Sequence, residues 1–368
     1  MTVNFKKLLN QGIKDLKPYV PGKPIQDLER EFGITNVIKL ASNENPLGPS
    51  PLALESINHV LKGVNRYPDG NALELKKSIS IEYGVNENQI TIGNGSNDII
   101  EFVVRSFLSS NDSAVFSKHA FAVYPLAVQI SGAEGIEVPA KNWGHDLLEM
   151  NKAIKENTKI VFIANPNNPT GTFLSHTEIV NFLKRVRKDV LVFLDQAYFD
   201  YSSFEENDVN FSLVEKFPNL IISRSFSKAY GLAGFRVGYS VSSPEIADYL
   251  NRVRQPFNAN SLGLAAAKAA ISDKDHMQKS LKMNLEQKIQ LYKGLEGLGY
   301  QYIPTLANFI CFDCKHDANE RFMDLLKEGV IVRAMGVYKM PNHLRVTIGL
   351  PEENSFFLKK LNKITNSL

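Results

Sequence analysis

A single lysine lies within a stretch rich in hydroxyl groups and glycine, which runs from Ser223 to Ser240. Ser225 and Ser227 precede Lys228, and Arg236 follows it. Hydroxyl groups and a guanidinium bind phosphate, the guanidinium through two parallel hydrogen bonds. An amine beside a phosphate site suits Schiff-base chemistry with a phosphate-carrying aldehyde such as pyridoxal 5′-phosphate. A basic, glycine-rich surface loop has a similar composition, so the interpretation needs support from elsewhere in the chain.

A carboxylate at the end of an apolar run provides this support. Asp195 follows the run Val190 to Leu194, and Tyr198 comes three residues later. A carboxylate paired with a pyridine nitrogen keeps that nitrogen protonated, so that the ring can take up the electrons left when a Cα–H bond breaks. Tyr198 and Asn168 could hydrogen-bond the phenolic oxygen of the ring. Asp195 alone could equally cap a helix, but its position between Asn168 and Lys228 favours the chemical interpretation.

A second phosphate-binding feature lies nearer the N-terminus. The apolar residues Ile90 to Ile92 lead into the turn Gly93 to Asn97, and a helix with apolar residues at helical spacing follows from Ile99 to Leu108. Free N–H groups and the helix dipole make such a turn an anion site. The third glycine of a dinucleotide-binding G-x-G-x-x-G motif is missing, so we predict a phosphate cradle of another kind.

The elements that position these residues alternate between apolar runs and helical stretches. Near-continuous Val, Ile and Phe runs separated by helices predict an α/β fold with a mostly parallel sheet covered on both faces. Ligands then bind at the carboxyl ends of the strands, where polar segments begin at Asn165, Asp195 and Arg224. The predicted strands are Ile90–Ile92, Ala114–Phe116, Gly135–Val138, Ile160–Ala164, Val190–Leu194, Leu220–Ser223 and Val237–Val241.

The length of the chain predicts two domains. A chain of 368 residues, 43% of them hydrophobic, exceeds the roughly 250–300 residues at which a single core stops growing. Beyond Gln255 longer helices and a few strand-like segments predict a smaller α+β unit. We predict a large cofactor-binding domain over residues 46–255 and a small domain over 1–45 and 256–368, which includes an ordered N-terminal arm with a turn at Pro18 to Gly22.

Charge and hydropathy exclude several classes of protein. The formal net charge of +3 is small and its basic residues are dispersed, which argues against nucleic acid and favours a small-molecule ligand. No apolar run approaches the roughly 18 residues of a membrane span, and Met1 to Lys17 has no signal-peptide core. We therefore expect a soluble, cytoplasmic protein without a membrane partner.

A metal or redox role for the cysteines is not expected. Cys311 and Cys314 have C-x-x-C spacing, but no second Cys or His pair lies nearby. In a strand, residues three apart point to opposite faces, which would separate the two thiols. The seven histidines show no metal-ligand spacing.

Together these motifs resemble those of the fold-type I pyridoxal-phosphate aminotransferases, and within them the histidinol-phosphate aminotransferases. The resemblance covers essentially the whole chain. N-P-x-N-P-T-G at 165–171 and S-F-S-K-x-x-x-L-A-G-x-R-x-G at 225–238 are specific for the superfamily. The narrower likeness rests on Asn43 to Pro46 and Arg66 to Pro68. The resemblance to the superfamily implies a large domain with a mostly parallel sheet and a smaller α+β domain.

The resemblance also implies roles for single residues. Lys228 would be the Schiff-base lysine, Asp195 would pair with the ring nitrogen, and Asn168 and Tyr198 would hold the phenolic oxygen. Phe121 falls where the family stacks an aromatic side chain on the pyridine ring. The phosphate cup would comprise Ser96, Asn97, Ser225, Ser227 and Arg236, with Tyr67 reaching in from the neighbouring subunit of a homodimer.

The implied substrate contacts come from both ends of the chain. Arg345 would bind the α-carboxylate of amino-acid substrates, and Arg333 with Tyr19 would meet the distal phosphate of histidinol phosphate. Asn43 would also contact the substrate. Two positions depart from the family pattern: Gln196 replaces a frequent acidic residue, and Asn97-Asp98 replaces the usual Asp-Glu. Since neither touches the transferred proton, we expect the reaction type to be retained.

The implied reaction is a ping-pong aminotransfer. The amino group would pass between histidinol phosphate or imidazole acetol phosphate and glutamate or 2-oxoglutarate, in histidine biosynthesis. An aromatic amino-acid aminotransferase is the nearest alternative, because a pocket for imidazole can also accept phenyl or phenol. A phosphothreonine decarboxylase-like enzyme is a second. A non-catalytic pyridoxal-phosphate-binding regulator is the weakest, since no helix-turn-helix segment or basic extension precedes the domain.

Overall fold

A computed structural model of the chain describes residues 4–16, 30, 33–34, 36–205 and 209–366. The predicted turn at Pro18 to Gly22, and with it Tyr19, lies outside the described residues. Among the residues that are described, no helix is long and apolar enough to cross a membrane.

The larger part of the fold is built on a mixed, mostly parallel sheet of seven strands in the order β2-β8-β7-β6-β5-β3-β4. The neighbours among β3 to β7 are parallel, whereas β8 is antiparallel to both β2 and β7. The predicted α/β class is therefore confirmed. The strands are β2 (Ile90–Gly93), β3 (Ser113–Ser117), β4 (Glu134–Val138), β5 (Thr158–Ala164), β6 (Leu191–Asp195), β7 (Leu220–Ser225) and β8 (Gly238–Val241).

Helices cover both faces of this sheet, which explains its near-continuous apolar runs. Successive side chains of a strand point to opposite faces. Phe162 accordingly packs in one cluster, with helices Ser96–Phe107, Val123–Ser131 and Pro244–Val253. Its neighbour Val161 packs in the other, beneath helices Pro51–Val60, Leu73–Tyr83, His176–Arg185 and Ser261–Ser272. Shorter helices are Leu147–Lys152, Phe199–Glu205 and Leu213–Lys216.

The C-terminal part has its own sheets. A four-stranded antiparallel sheet has the order β12-β13-β10-β9, and a two-stranded parallel sheet joins β1 to β11. Helices Lys274–Gly297, Ala318–Lys327 and Pro351–Asn366 contribute to the core of this part. The strands are β1 (Ile38–Lys39), β9 (Gln301–Ile303), β10 (Phe309–Asp313), β11 (Val330–Ile331), β12 (Arg333–Ala334) and β13 (His343–Thr347).

The domain division at residues 45/46 and 255/256 stays a prediction. Helix Ser261–Ser272 lies beyond the second of these boundaries, and its buried Ala266 and Ala267 belong to the same apolar cluster as Ala53 and Ile57. The N-terminal segment contains two short 3₁₀ turns, Phe5–Lys7 and Gln11–Ile13.

The two cysteines are free thiols in different surroundings. Cys311 packs beside Met335, whereas Cys314 belongs to the cluster around Leu344. Burial raises the pKa of the Cys311 thiol to about 12, so it stays protonated. Among the described residues, no group of three or more His, Cys, Asp or Glu side chains could hold a metal ion.

Candidate active site

The predicted site residues meet in one cavity of about 300 Å³ beside the carboxyl ends of β5, β6 and β7. Those that line it are Asn43, Ser96, Asn97, Phe121, Asn168, Asp195, Tyr198, Ser225, Ser227, Lys228, Arg236, Arg333 and Arg345. Tyr67 is 81% exposed and is not among the lining residues. A larger open groove of about 1140 Å³, lined by helices His176–Arg185 and Lys274–Gly297, contains none of them.

Lys228 presents its amine to this cavity. Its Nζ donates a hydrogen bond to the Ser42 carbonyl at 3.1 Å. Burial is the largest cause that lowers the pKa of the amine to about 8; Arg345 and Arg236 act in the same direction, while Glu44 opposes the shift. The neutral, nucleophilic form is therefore far more populated near pH 7 than for an ordinary lysine.

Asp195 is held by three donors. Tyr124 donates to Oδ2 at 2.8 Å, while the Ala197 N–H and the Ser223 hydroxyl donate to Oδ1 at 3.1 and 3.3 Å. Burial raises the pKa of the carboxyl group, and the hydrogen bonds, that of Tyr124 foremost, act in the opposite direction. The carboxylate at the end of β6 is thus oriented before any ligand binds.

A hydrogen-bond network joins the N-terminal segment, the large sheet and the C-terminal sheet at this point. Asn43, at a positive φ of 55°, donates through Nδ2 to the Tyr198 hydroxyl at 2.8 Å. Arg345 donates to Asn168 Oδ1 at 2.5 Å and to the Ala41 carbonyl at 2.9 Å. Burial raises the pKa of Tyr198 to about 12, so its hydroxyl remains protonated. The cavity is therefore shaped by residues far apart in sequence.

The predicted phosphate cup lies where Arg236 crosses the start of helix Ser96–Phe107. Arg236 has a left-handed backbone with φ 56°, and it donates to the Ser227 hydroxyl at 3.2 Å. A side chain at Gly95 would collide with the Arg236 guanidinium, and one at Gly238 with the Ser96 backbone. These glycines let a guanidinium, hydroxyl groups and a helix N-terminus converge, and such a site accommodates a phosphate.

Two arginines face each other across neighbouring strands. Arg333 on β12 is the direct cross-strand partner of Arg345 on β13, and both line the cavity. Like charges directly opposite each other destabilise a sheet. Such a pair of arginines is therefore expected where anionic ligands bind between the two guanidinium groups.

Of the residues that depart from the family pattern, Asn97 lines the cavity, whereas the side chains of Gln196 and Asp98 form their hydrogen bonds outside it. Gln196 turns away from the cavity: it donates to the Val209 carbonyl at 2.7 Å and accepts from Arg224 at 3.1 Å. Asp98 accepts hydrogen bonds from the Asn94 N–H and the Asn258 amide, both at 2.8 Å. Both side chains therefore stabilise loops around the site.

Sequence reasoning missed several residues of the site, among them Ser223, Tyr124, Glu44 and Tyr338. Ser223 binds Asp195, and the other three line the cavity. Tyr124 lies in the first turn of helix Val123–Ser131, whereas Phe121 precedes that helix, so no helical spacing linked the two. Glu44 pairs with Lys39 at 2.8 Å. Tyr338 ends the short 3₁₀ turn Gly336–Tyr338, and no local feature of the sequence points to it.

The arrangement fits one small molecule with three functional groups. The amine of Lys228 suits an aldehyde, the carboxylate of Asp195 suits a pyridine nitrogen, and the cup around Arg236 suits a phosphate. Pyridoxal 5′-phosphate carries all three. On a mostly parallel seven-stranded sheet, this combination defines a pyridoxal-phosphate-dependent enzyme of fold type I.

Comparisons with known proteins define the class further. The pattern of the family "Aminotransferase class I and II" matches residues 35–359, and the chain belongs to this family. It is similar to histidinol-phosphate aminotransferase 2 of Pseudomonas fluorescens, with 52% identity over 99% of both chains, and to the enzyme of that name from Pseudomonas aeruginosa, with 52% identity over 98% of both.

A solved structure gives the same result for the fold. The histidinol-phosphate aminotransferase of Sinorhizobium meliloti, crystallised with pyridoxal 5′-phosphate, superimposes with a TM-score of 0.90, 27% identity and 98% coverage of both chains. The predicted fold type and the predicted cofactor, pyridoxal 5′-phosphate, are therefore confirmed.

Proposed function

We propose that the chain is a histidinol-phosphate aminotransferase, which exchanges amino and carbonyl groups between histidinol phosphate or imidazole acetol phosphate and glutamate or 2-oxoglutarate. The facing pair Arg333 and Arg345 carries the proposal, because two guanidinium groups in one small cavity match substrates with anionic groups. The similarity to histidinol-phosphate aminotransferases at 52% identity supports it. A place in histidine biosynthesis follows, while a cytoplasmic location stays a prediction.

Bound pyridoxal phosphate supplies an electron sink for the pair left when the substrate Cα–H bond breaks. The chain supplies the contacts around it. Asp195 would pair with the ring nitrogen, Asn168 and Tyr198 would hold the phenolic oxygen, and Phe121 would stack on the ring. The phosphate would be bound by Ser96, Asn97, Ser225, Ser227 and Arg236, with Tyr67 of a second subunit.

Lys228 moves the proton in this scheme. Its Nζ takes the proton from the substrate Cα, and the lowered pKa makes the free amine available as a base near neutral pH. Asn43 orients Tyr198 by their 2.8 Å hydrogen bond. The two substrates use the same cavity in turn, which gives ping-pong kinetics.

The substrate's charges are bound by the two arginines. Arg345 binds the α-carboxylate of glutamate, and Arg333 binds the distal carboxylate of glutamate or the phosphate of histidinol phosphate, with Tyr19 as a further phosphate ligand. A guanidinium suits both anions because its planar fork matches either group with two hydrogen bonds. One pocket can therefore serve both half-reactions.

Arg333→Leu tests this function. We expect kcat/KM for histidinol phosphate to fall at least about 30-fold, since a lost charge-assisted pair costs roughly 2–5 kcal/mol. The glutamate half-reaction should also slow, whereas phenylalanine, which has no distal anion, should be much less affected. Steady-state kinetics of wild type and variant with these donors and 2-oxoglutarate provide the measurement.

A surface arginine serves as the control. Arg105 is half exposed and pairs with Glu101 at 2.9 Å, so Arg105→Leu should leave all three activities unchanged. If the wild type prefers phenylalanine or tyrosine and Arg333→Leu is neutral for histidinol phosphate, the enzyme is an aromatic amino-acid aminotransferase. The phosphate role of Arg333 and Tyr19 is then wrong.

A homodimer is the second part of the proposal. Tyr67 stacks on Phe257 with ring centroids 4.6 Å apart, and both rings are exposed. Several large apolar side chains between residues 47 and 73 are exposed as well: Leu47, Leu52, Leu54, Leu61, Val64 and Leu73. Exposed apolar side chains that group together are typical of protein interfaces. A second copy that covers these side chains would bring Tyr67 to the neighbouring phosphate cup.

Mixing two impaired variants tests the shared site. Lys228→Ala and Tyr67→Ala each disable the sites of their own homodimers, but a hybrid dimer contains one site with both residues intact. Random exchange of subunits should restore about a quarter of wild-type activity. Absence of any recovery after subunit exchange, or a fully active monomer in sedimentation, would contradict the shared site.

A further inference from the structure

Tyr124 occupies a fixed position behind Asp195. Its side chain is fully buried, and its ring stacks on Phe162 with centroids 4.9 Å apart and an angle of 11° between the planes. Phe121 meets the same ring edge-on at 5.7 Å. Two aromatic neighbours thus fix the ring, and the hydroxyl is aimed at the Asp195 carboxylate at 2.8 Å. Little side-chain entropy remains to be lost when a ligand binds.

The hydrogen bond from Tyr124 is the shortest that Asp195 receives. The other two donors, Ala197 and Ser223, both donate to Oδ1. Among the hydrogen bonds of the described residues, Tyr124 alone donates to Oδ2. A bond to the charged form of a carboxyl group favours that form. Burial and the neighbouring Asp195 raise the pKa of Tyr124 well above its usual value, so the hydroxyl remains a donor at any working pH.

We propose that Tyr124 is a positioning residue that keeps the Asp195 carboxylate ionised and aimed at the ring nitrogen of the bound cofactor. The inference rests on the proposed role of Asp195. A neutral carboxylic acid could not balance a protonated pyridine nitrogen, so the orientation and the charge of Asp195 both matter to binding. Tyr124 contributes to both through its hydrogen bond to Asp195.

A role in packing alone makes a different prediction. Phenylalanine fills the same space, and the stacking on Phe162 does not involve the hydroxyl. Tyr124→Phe therefore removes the hydrogen bond while it leaves the aromatic cluster in place. Any loss of cofactor preference in this variant therefore reports on the hydrogen bond to Asp195.

The test compares two cofactors that differ only at the ring nitrogen. Dissociation constants of the full chain, freed of cofactor, are measured for pyridoxal 5′-phosphate and for its 1-deaza analogue, in which carbon replaces the nitrogen. The wild type should prefer the natural cofactor, and Asp195→Asn should lose that preference. Tyr124→Phe should reduce the preference roughly tenfold, since hydrogen bonds to charged groups are stronger than neutral ones.

A matched tyrosine outside the site controls for loss of a buried hydroxyl. Tyr300 is buried in the C-terminal part, where its hydroxyl bonds to that of Thr365 at 2.6 Å. Tyr300→Phe should leave the preference unchanged. If Tyr124→Phe weakens the binding of both cofactors equally, Tyr124 has a packing role and the proposal is overturned. An unchanged preference with unchanged affinities would also overturn it.

The Asp195→Asn variant distinguishes a failure of the role proposed for Asp195 from a failure of the role proposed for Tyr124. If it keeps the preference for the natural cofactor, the role of Asp195 at the ring nitrogen is wrong. If it loses the preference while Tyr124→Phe retains it, only the positioning role of Tyr124 is overturned. Loss in both variants, with Tyr300→Phe unaffected, supports the proposal.

Discussion

Lys228→Ala should eliminate aminotransfer and the visible absorbance of the lysine-bound cofactor, while the fold stays intact. The aldehyde of the cofactor then has no protein amine with which to condense, and no base faces the substrate Cα. General acid–base catalysis alone contributes roughly 10²- to 10⁴-fold, and the covalent role adds to it. We expect kcat to fall at least about 10⁴-fold.

The surroundings of Lys228 make it fit for this role. An amine with a pKa of about 8 is neutral in roughly one molecule in ten at pH 7, against about one in 3,000 for a lysine at its ordinary pKa of 10.5. Burial and the guanidinium groups of Arg345 and Arg236 cause the shift. The groups that bind the ligand's anions therefore also activate the amine that reacts with it.

A surface lysine provides the comparison for this variant. Lys152 is 60% exposed and pairs with Glu149 at 2.7 Å, so Lys152→Ala should retain normal turnover and absorbance. Circular dichroism of both variants checks the fold. Turnover in Lys228→Ala within a few-fold of wild type would show that the reactive amine lies elsewhere.

Much of this site could be predicted from local sequence, because strand ends are marked by local chemistry. Apolar runs end at Ala164, at Leu194 and at Ser223, and polar residues begin immediately after them. The carboxyl ends of parallel strands meet at one edge of a sheet. The structure accordingly brings Asn168, Asp195 and Lys228 to one cavity.

Contacts between segments that are far apart in the chain could not be predicted from local sequence. Arg333 lies on a strand of only two residues, and its register opposite Arg345 depends on the pairing of β12 with β13. Ile331 and Arg333, read as parts of one segment, belong to different sheets. Tyr124 reaches Asp195 across 71 residues of sequence, through the packing of a helix on the sheet.

The direction of a side chain at a strand end was a further limit. Asp195 and Gln196 are adjacent, and the sequence alone does not show which of the two side chains points into the cavity. The backbone leaves β6 at this point, and the two side chains diverge: Asp195 lines the cavity, while Gln196 bonds to Arg224. Arg224 itself is buried against the Phe199 ring, 3.5 Å from its centroid. The departure at Gln196 is thus part of the packing behind the sheet.

Asp195→Ala should leave cofactor bound but lower kcat by at least about 10³-fold. An unprotonated pyridine nitrogen is a poor electron sink, and removal of a preorganised electrostatic partner commonly costs 10²- to 10³-fold or more. The variant also leaves the Tyr124 and Ser223 hydroxyls without their acceptor, which costs about 1–3 kcal/mol of stability for each group that stays unpaired. Cofactor stoichiometry is therefore measured beside kcat, and rates are given per bound cofactor.

A permanently charged cofactor separates the electrostatic role of Asp195 from a structural one. N-methylated pyridoxal phosphate carries a positive ring nitrogen that needs no carboxylate to retain a proton. It should restore part of the lost rate in Asp195→Ala, yet none in Lys228→Ala, where the missing group is the amine. If kcat of Asp195→Ala with the natural cofactor stays within a few-fold of wild type, another group holds the ring nitrogen. If the methylated cofactor restores nothing in Asp195→Ala, the carboxylate acts by supporting the cavity, because the charge it was meant to maintain is then already present.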